Sequence, residues 1–372
     1  MQQKVFRENQ LDNLKSLIKN IDSEKIFLVR ANKSYHTSGA ELFINQLVNN
    51  SALTSFYDFD PNPQLEDLKK GISIFQKGNF DLILCIGGGS VLDMAKLISV
   101  FAHQNNNFED LVIGKAKLEN TKTPIVAIPT TAGTGAEATH FAVLYINKKK
   151  YSIGHSAILP DIVYISADFS LSANAYLTAC TGLDAFCQAV ESLWSVNTNA
   201  ESEIFALEAI EMIWHNLQKA VQENDKASKS IMQEASFLAG KAINITKTTA
   251  PHALSYAFTS YYNIPHGHAV ALSLPFFLEY NYGLTNIDCT DKSDPQKVKQ
   301  RIDKLLNILN ININDSQNVL VKFFESLGVN INISEIIENF DPNIIIDNVN
   351  FERLSNNPRL VSKEDISNFL GH

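Results

Sequence analysis

Short apolar runs alternate with amphipathic segments through the first half of the chain. Runs typical of buried strands cover residues 25–31 (KIFLVRA) and 82–89 (LILCIGGG), and a third, 124–135 (PIVAIPTTAGTG), ends in small and hydroxyl residues. Helical periodicity lies between these runs, at 64–78 and 90–104. Because strands that alternate with helices form parallel sheets with right-handed crossovers, this half predicts an α/β domain.

After about residue 170 the pattern changes to long helices. Helical periodicity covers 175–194, 201–222, 229–245 and 296–309. We therefore predict an α/β dinucleotide-binding domain over residues 1–169 and an all-helical domain over residues 170–372. The segment 311–350 is rich in Asn and Ile, which predicts irregular helices near the surface and no chemistry of its own.

Composition and charge narrow the class of protein. The 372 residues are 45% hydrophobic and 19% charged, as in ordinary globular proteins, and no apolar run reaches membrane-spanning length. A net charge of −9 argues against nucleic-acid binding but leaves a small anionic substrate open. The four cysteines show no CxxC spacing, and the N-terminal segment has no apolar signal core, so we expect a cytoplasmic protein without membrane partners.

Two loops after predicted strands could bind a dinucleotide. The first follows the run at 82–86, and glycines there let backbone N–H groups approach a phosphate at a helix N-terminus. The second follows the run at 124–129 and offers hydroxyl groups to a pyrophosphate or ribose. A tight turn and a polar connection are the structural alternatives. The candidate cofactor residues are Gly87, Gly88, Gly89, Ser90, Asp93, Thr130, Thr131 and Thr134.

A third group of residues could hold a metal ion. Asp184 and Gln188 lie one helical turn apart and share a helix face. His252 and His266 are each next to a proline, which restricts the local backbone. A lone histidine is more often structural, but two histidines and a carboxylate together suit zinc or ferrous iron.

Taken together and in order, these motifs resemble the iron-containing alcohol dehydrogenase family, which is related to dehydroquinate synthase. The resemblance runs nearly end to end and includes GGGSVLD, IPTTAGTGAEAT, LPD (159–161), TGLDA (181–185), the PHA and PHG histidines and NPR (357–359). It implies an NAD(P)-dependent, metal-containing oxidoreductase, with cofactor and metal in a cleft between an α/β and a helical domain. It also implies a metal, Fe²⁺ or Zn²⁺, and an assembly such as a homodimer.

The resemblance implies an Asp and three His as metal ligands, and this chain matches three of those four positions. Asp184, His252 and His266 match, whereas Gln188 stands where the family usually has its second ligand. Gln188 ligates through its amide oxygen, or the site uses three protein ligands and water, or the metal is lost. Tyr256 stands where many members have a histidine and, with His268 or water, is a candidate proton donor.

Cofactor preference is predicted from the end of the strand at 25–31. Members that prefer NAD tend to have an acidic residue there, whereas this chain has Arg30 and Lys33. Cations at this point suit a ribose 2′-phosphate, so we expect NADP(H), or use of NAD(H) as well. Solvated side chains are the structural alternative.

Local cations favour an anionic aldehyde as the substrate. Lys241 and Lys247 come shortly before His252, and His155, with His140, could add hydrogen-bond donors. The combined segments resemble the phosphonoacetaldehyde reductase branch, which implies reduction of phosphonoacetaldehyde to 2-hydroxyethylphosphonate in phosphonate biosynthesis. The open alternatives are a short-chain alcohol or sugar-aldehyde dehydrogenase, a dehydroquinate synthase-like lyase, and a nucleotide-binding protein that has lost its metal.

Overall fold

The computed structural model describes residues 3–21, 25–48, 52–147, 149–292, 294–349 and 351–371. The chain divides into two compact units, Met1–Ala173 and Asn174–His372. The boundary between them follows residue 173, whereas the sequence pattern predicted it after residue 169. Within the described ranges, no helix combines the length and apolar character needed to cross a bilayer.

The N-terminal unit contains eight strands among its described residues. They are β1 (Lys4–Arg7), β2 (Lys25–Arg30), β3 (Ala52–Phe56), β4 (Leu82–Gly87), β5 (Ile125–Pro129), β6 (Phe141–Ile146), β7 (Lys149–Gly154) and β8 (Ile162–Ile165). Six of them form a parallel sheet in the order β1-β8-β5-β4-β2-β3. The other two, β6 and β7, form an antiparallel hairpin whose connection includes residue 148, outside the described residues.

The central strands are apolar on both faces because helices cover the sheet on both sides. Phe27 and Val29 of β2 pack into one core cluster, whereas Ile26 and Leu28 pack into the other. The helices of this unit are α1 (Leu11–Asn20), α2 (Lys33–Thr37), α3 (Ala40–Leu47), α4 (Leu65–Gly78), α5 (Gly89–Phe101) and α6 (Phe108–Val112).

The strand order creates a switch point at β2. The chain passes from β2 to β3 on one side and then returns to β4 on the other side. In open parallel sheets, ligands bind in the crevice at the carboxyl ends of the strands that flank such a point. The segments after β2, β3 and β4 are therefore the expected ligand-binding segments of this unit.

The C-terminal unit is mostly helical, with an isolated β-bridge between Cys289 and Arg359. Its helices are α7 (Ala175–Trp194), α8 (Ala200–Gln222), α9 (Lys226–Thr246), α10 (Ala250–Tyr262), α11 (His266–Ala271), α12 (Leu274–Tyr282), α13 (Pro295–Leu309), α14 (Ser316–Ser326), α15 (Ile333–Ile336), α16 (Pro342–Asp347), α17 (Phe351–Leu354) and α18 (Lys363–Leu370). The α/β and helical fold class predicted from the hydrophobic pattern is confirmed.

Helix α7 is the central helix of this unit. It begins after Asn174, whose side chain accepts a hydrogen bond from the Leu177 N–H and so caps the helix. From Ala179 onward nearly every side chain is buried, so α7 is covered on nearly all sides rather than along one face. Gly182 gives α8 and α9 room, because a Cβ there would lie 2.2 Å from Leu217 Cδ1.

Some elements gave no clear signal in the sequence. Strands β1 and β3 are edge strands with partly exposed faces, so their patterns are short and mixed. The Asn- and Ile-rich segment does contain short helices, as predicted, but α14 is a regular helix of 11 residues.

Candidate active site

Helix α7 carries three polar side chains on one buried face. Asp184, Gln188 and Glu191 follow one another at i, i+4 and i+7, and their exposed fractions are 3%, 4% and 0%. Buried polar groups are costly unless they are paired or bind an ion. This stripe of polar residues inside an apolar helix therefore indicates a site.

The two histidines reach this face from separate helices. His252 lies in the first turn of α10, whose start is fixed by Pro251, and its Nε2 is 3.3 Å from Asp184 Oδ1. His266 is the first residue of α11, and its Nε2 is 4.0 Å from the same oxygen. Gly267 permits this approach, because a Cβ there would lie 1.8 Å from the Cys180 carbonyl oxygen on α7.

The geometry fits a metal ion. One ligand atom each from Asp184, His252 and His266 lies within 4.8 Å of the others, and among the described residues this is the group with that property. Two imidazoles and a carboxylate form the ligand set of many ferrous sites and suit zinc as well. The sequence prediction that these residues come together therefore agrees with the geometry.

Gln188 lies in the same pocket of polar atoms. Its Nε2 donates a 3.1 Å hydrogen bond to Asp184 Oδ1, while its Oε1 is buried without a hydrogen-bond partner among the described residues. Rotation of the amide by a half turn would bring Oε1 toward the carboxylate, which is favourable only with a cation between them. An orphaned amide oxygen beside three ligand atoms fits a bound metal.

Electrostatics in the cluster favour charged ligands. Burial alone would raise the pKa of Asp184, but the hydrogen bond from His252 and the charge of His266 hold that pKa below its usual value. Burial alone would lower the pKa of His252, but the carboxylates of Glu191 and Asp184 outweigh it and raise the pKa to about 10. The buried cluster is thus poised to exchange a proton for a metal cation.

Two further residues named as proton donors occupy different surroundings. The Tyr256 ring stacks on the His266 ring, with centroids 5.9 Å apart and planes at 17°. His268 instead donates from Nε2 to the Asn330 carbonyl oxygen at 2.6 Å, and its Nδ1 accepts from the Tyr176 hydroxyl at 2.8 Å. Both nitrogens of His268 are therefore engaged, which leaves Tyr256 beside a ligand ring.

In the N-terminal unit the two predicted loops adjoin each other. Gly88 is the N-cap of α5, and a Cβ there would lie 3.4 Å from Thr131 Oγ1. A Cβ at Gly89 would lie 2.7 Å from Thr134 Cγ2. A larger residue at Gly89 would force the Thr134 side chain to move, whereas a Cβ at Gly88 would make an ordinary contact. The N-terminus of α5 offers backbone N–H groups and a positive dipole to a phosphate.

A cavity of about 700 Å³ lies at the switch point of the sheet. It is lined by residues that follow β2, β3 and β4, among them Arg30, Lys33, Gly88, Gly89 and Ser90. Its position and size suit part of a dinucleotide. The loop after β3 also contributes Asp58 and Asp60, acidic residues that the sequence analysis did not assign to the cofactor site.

Arg30 is held rather than solvated. Its guanidinium carbon lies 4.5 Å from the centroid of the Tyr35 ring and 3.9 Å from that of Tyr57. Its Nη1 donates to the Ala31 carbonyl oxygen, whereas its Nε is buried without a partner among the described residues. The aromatic contacts stabilise the cation beside the cavity and fix its orientation.

Asp93 has structural partners. Its Oδ2 accepts from the Val143 N–H at 2.9 Å, and its Oδ1 lies 3.4 Å from Lys96 Nζ. The fully buried Lys96 also donates to the carbonyl oxygens of Ala136 and Phe141, at 2.8 and 2.6 Å. Asp93 therefore links α5 to β6 through its own carboxylate, and its cofactor contact stays a prediction.

Two family models match the chain along most of its length. A model described as iron-containing alcohol dehydrogenase matches residues 2–167, and one described as the C-terminal part of the same family matches residues 178–372. The chain belongs to the iron-containing alcohol dehydrogenase family. The resemblance inferred from the motifs is thereby confirmed at the level of the family.

Individual relatives agree with this family. Long-chain-alcohol dehydrogenase 1 of Geobacillus thermodenitrificans is 36% identical over 228 residues, which cover 60% of this chain and 58% of that protein. The 1,3-propanediol dehydrogenase of Citrobacter freundii is 36% identical over 230 residues, which cover 61% and 59%. The match thus spans less than two thirds of the length of these curated relatives.

Solved structures match over the whole chain. An iron-containing alcohol dehydrogenase from Thermotoga maritima is 27% identical with a TM-score of 0.85, covering 100% of this chain and 97% of that one. A sulfoacetaldehyde reductase from Bifidobacterium kashiwanohense, solved with NAD⁺, is 23% identical with a TM-score of 0.80, covering 99% and 96%. The second likeness shows the fold alone.

The two lysines predicted to bind substrate differ in their surroundings. Lys241 Nζ lies 3.6 Å from the Phe205 ring centroid on α8, and burial lowers the pKa of Lys241 although the charges of Glu201 and Glu208 act in the opposite direction. Its ammonium therefore faces α8, and the prediction that Lys241 binds an anion stays a prediction. Lys247 is exposed at the end of α9 with a φ of 58°.

His155 occupies a structural position in the N-terminal unit. Its Nδ1 accepts a 3.2 Å hydrogen bond from the Ala157 N–H and so caps a short 3₁₀ turn. Its own N–H donates to the His140 carbonyl oxygen at 2.9 Å. Because Nδ1 accepts in the turn after β7, the ring nitrogen that could donate to an anion is Nε2, and the substrate role of His155 stays a prediction.

Sequence reasoning missed Glu191, which hydrogen-bonds the Nδ1 of His252. It lies two helical turns after Asp184, so its spacing carried the signal. The residue was overlooked because a glutamate near the end of a helix usually points to solvent.

Proposed function

We propose that the chain is an NAD(P)H-dependent reductase of a small anionic aldehyde, with phosphonoacetaldehyde as the proposed substrate and 2-hydroxyethylphosphonate as its product. The observation that carries the oxidoreductase assignment is the cluster of buried Asp184 and His252 with partly exposed His266, in a chain of this family. The cavity beside Gly88 and Gly89 supports a dinucleotide cofactor.

Asp184, His252 and His266 would hold a divalent metal, Fe²⁺ or Zn²⁺, and the orphaned Oε1 of Gln188 lies where an additional oxygen donor would be useful. A bound metal would supply Lewis-acid polarisation of a carbonyl group, and a nicotinamide would supply hydride. Tyr256, stacked on the ring of His266, would donate the proton to the product oxygen.

The residues around the cavity divide the work of cofactor binding. The N–H groups at the start of α5 would bind the pyrophosphate, with the Thr131 and Thr134 hydroxyls beside them. Arg30 and Lys33 would pair with a ribose 2′-phosphate, which favours NADP(H). Asp58 and Asp60 would instead accept hydrogen bonds from free ribose hydroxyls, which supports use of NAD(H) as well.

Lys247 is the proposed anchor of the anionic group. It is exposed, it directly precedes the threonines that lead into α10, and α10 carries His252 in its first turn. Lys241 does not support this role equally, because its ammonium lies over Phe205. Remote binding energy at the phosphonate would orient the carbonyl for reduction.

The substrate is tested by following NADPH absorbance with metal-supplemented protein. Phosphonoacetaldehyde, sulfoacetaldehyde and propanal are compared at matched concentrations, with and without a chelator. We expect strong, chelator-sensitive preference for phosphonoacetaldehyde. Turnover of propanal alone would discard the anionic substrate and support the second candidate, an uncharged short-chain alcohol or aldehyde, which the names of the curated relatives favour.

The anion anchor is tested by Lys247→Ala. A charged anchor pairs with phosphonate but not with propanal, so kcat/KM should fall about tenfold or more for phosphonoacetaldehyde only. Lys241→Ala is the matched control, because it removes a nearby lysine whose ammonium faces Phe205. Equal losses on both aldehydes after Lys247→Ala would contradict the anchor.

A further inference from the structure

Glu191 is a fully buried carboxylate that hydrogen-bonds residues of the C-terminal unit. One oxygen, Oε1, hydrogen-bonds the Nδ1 of His252. The other, Oε2, accepts from the backbone N–H of Thr249 at 2.6 Å and from the Thr249 hydroxyl at 2.8 Å. A charge in the core is costly, so a carboxylate retained there with every bond satisfied indicates a specific task.

We propose that Glu191 is the positioning residue of the metal site, which holds His252 with Nδ1 as the donor and Nε2 as the free ligand atom. This inference rests on the proposed function, because it takes Asp184, His252 and His266 as metal ligands. Imidazole offers either nitrogen to a metal, and the hydrogen bond at one nitrogen decides which one is available.

The geometry at His252 supports this assignment. With Nδ1 on Glu191, the opposite nitrogen Nε2 lies 3.3 Å from Asp184 Oδ1, inside the ligand cluster. The ring could not present Nδ1 to the cluster without leaving Oε1 of Glu191 buried and without the hydrogen bond from His252. Glu191 therefore fixes both the tautomer and the orientation of the ligand ring.

Glu191 is itself held from a second side. Trp194 Nε1 donates a 2.9 Å hydrogen bond to the Thr249 hydroxyl, and that hydroxyl donates its own hydrogen to Glu191 Oε2. Thr249 is the N-cap of α10 and has no side-chain cap contact of the usual kind. The carboxylate thus ties the start of α10 to α7, the helix that also carries Asp184.

Because Gln188 stands where the family usually has a histidine, the hydrogen bond between Glu191 and His252 matters more in this chain. A site with three imidazoles keeps two if one is misoriented, whereas this chain offers only His252 and His266 among the described cluster. Misorientation of His252 should therefore cost a large share of metal affinity.

The proposal is tested on the full chain with Glu191→Gln, using Zn²⁺ as the probe metal. The amide has one acceptor oxygen, so it cannot accept from both Thr249 and His252, and its NH₂ group facing His252 would place the imidazole proton on Nε2. We expect Zn²⁺ affinity measured by titration calorimetry to fall about 10- to 100-fold. Ser192→Ala is the control on the same helix as Glu191. It removes a buried hydrogen bond to Thr246 of α9, and the Zn²⁺ affinity should stay within about twofold of wild type.

A second readout reports the hydrogen bond itself. Zn²⁺-loaded protein labelled with ¹⁵N-histidine should show a downfield Nδ1–H proton that is absent in His252→Ala and absent or shifted upfield in Glu191→Gln. Glu191→Gln with unchanged Zn²⁺ affinity and an unchanged Nδ1–H signal would overturn the proposal. If Glu191→Gln does not fold, Thr249→Val, which removes one bond to the carboxylate, should shift the same signal, and an unshifted signal would overturn it.

These measurements need no aldehyde, so the two hypotheses fail separately. Wild-type protein that binds Zn²⁺ and shows the Nδ1–H signal but reduces no aldehyde would contradict the proposed function and leave the positioning role supported. Wild-type protein that binds no Zn²⁺ would overturn the positioning role.

Discussion

The two candidate sites of this chain are built from different materials. The cofactor site of the N-terminal unit uses backbone groups: a helix N-terminus and glycines pressed against Thr131 and Thr134. The metal site of the C-terminal unit uses side chains on three helices, held by buried carboxylates. The first site therefore depends on the shape of its loops, whereas the second depends on the identity of single side chains.

The largest effect is expected at the metal site, from a glycine at the contact between α11 and α7. Gly267→Ala would put a Cβ 1.8 Å from the Cys180 backbone oxygen, which cannot yield as a flexible side chain would. We expect α11 to move away from α7, with a loss of about 3 kcal/mol or more in the free energy of unfolding and loss of metal binding. Urea unfolding and Zn²⁺ titration check this. Normal metal affinity in the variant would show that α11 can adjust.

The next largest effect on stability is expected from a buried acid in the segment that follows β5. Burial raises the pKa of Glu137 from 4.5 to about 7, so the folded protein keeps a proton there that the unfolded chain has lost. The contribution of Glu137 to the free energy of unfolding should therefore be fully present below pH 4.5 and fall by on the order of 3 kcal/mol as the pH rises to 7 and above. Urea unfolding across this range should show a shallower decline in Glu137→Gln. Identical slopes in both proteins would contradict the assignment.

Gly89→Ala tests the backbone-built site. The added Cβ would meet the Thr134 side chain at 2.7 Å, and a side chain can shift where a backbone oxygen cannot. We expect NADPH affinity to fall about tenfold, roughly 1.4 kcal/mol, with Zn²⁺ affinity unchanged. Fluorescence titration of NADPH measures the first and calorimetry the second. A loss of both affinities would mean that the two sites are not independent.

The smallest effect sharpens the comparison at Gln188. Gln188→His would add an imidazole beside Asp184 and should raise Zn²⁺ affinity by about tenfold or less. Gln188→Ala is the matched control, because it removes the orphaned Oε1 and adds no ligand. Lower affinity after Gln188→Ala identifies the amide oxygen as a ligand, whereas unchanged affinity favours three protein ligands.

Sequence patterns predicted the scaffold better than the directions of its side chains. The i, i+4 spacing placed Asp184 and Gln188 on one face of α7, and family motifs brought in His252 and His266, whose contacts with Asp184 span 68 residues or more. Strands β2, β4 and β5 were predictable because central strands are apolar on both faces.

What could not be predicted depends on packing between elements that are distant in the sequence. Lys241 is near His252 along the chain, yet its direction is set by Phe205 on α8. Arg30 gains its aromatic contacts from Tyr35 and Tyr57, which lie in segments after β2 and after β3. Proximity in sequence says which residues are available, but the helix and strand packing decides which way they face.

Lys96 holds the segment that follows β5 in place. Its ammonium binds two carbonyl oxygens, the Thr139 hydroxyl and the carboxylate of Asp93 from inside the core, as a structural calcium ion would. Unlike an ion, this cation is covalently part of the chain and cannot be lost by dilution. The segment after Thr134 is thus cross-linked to α5 by a group of the chain itself.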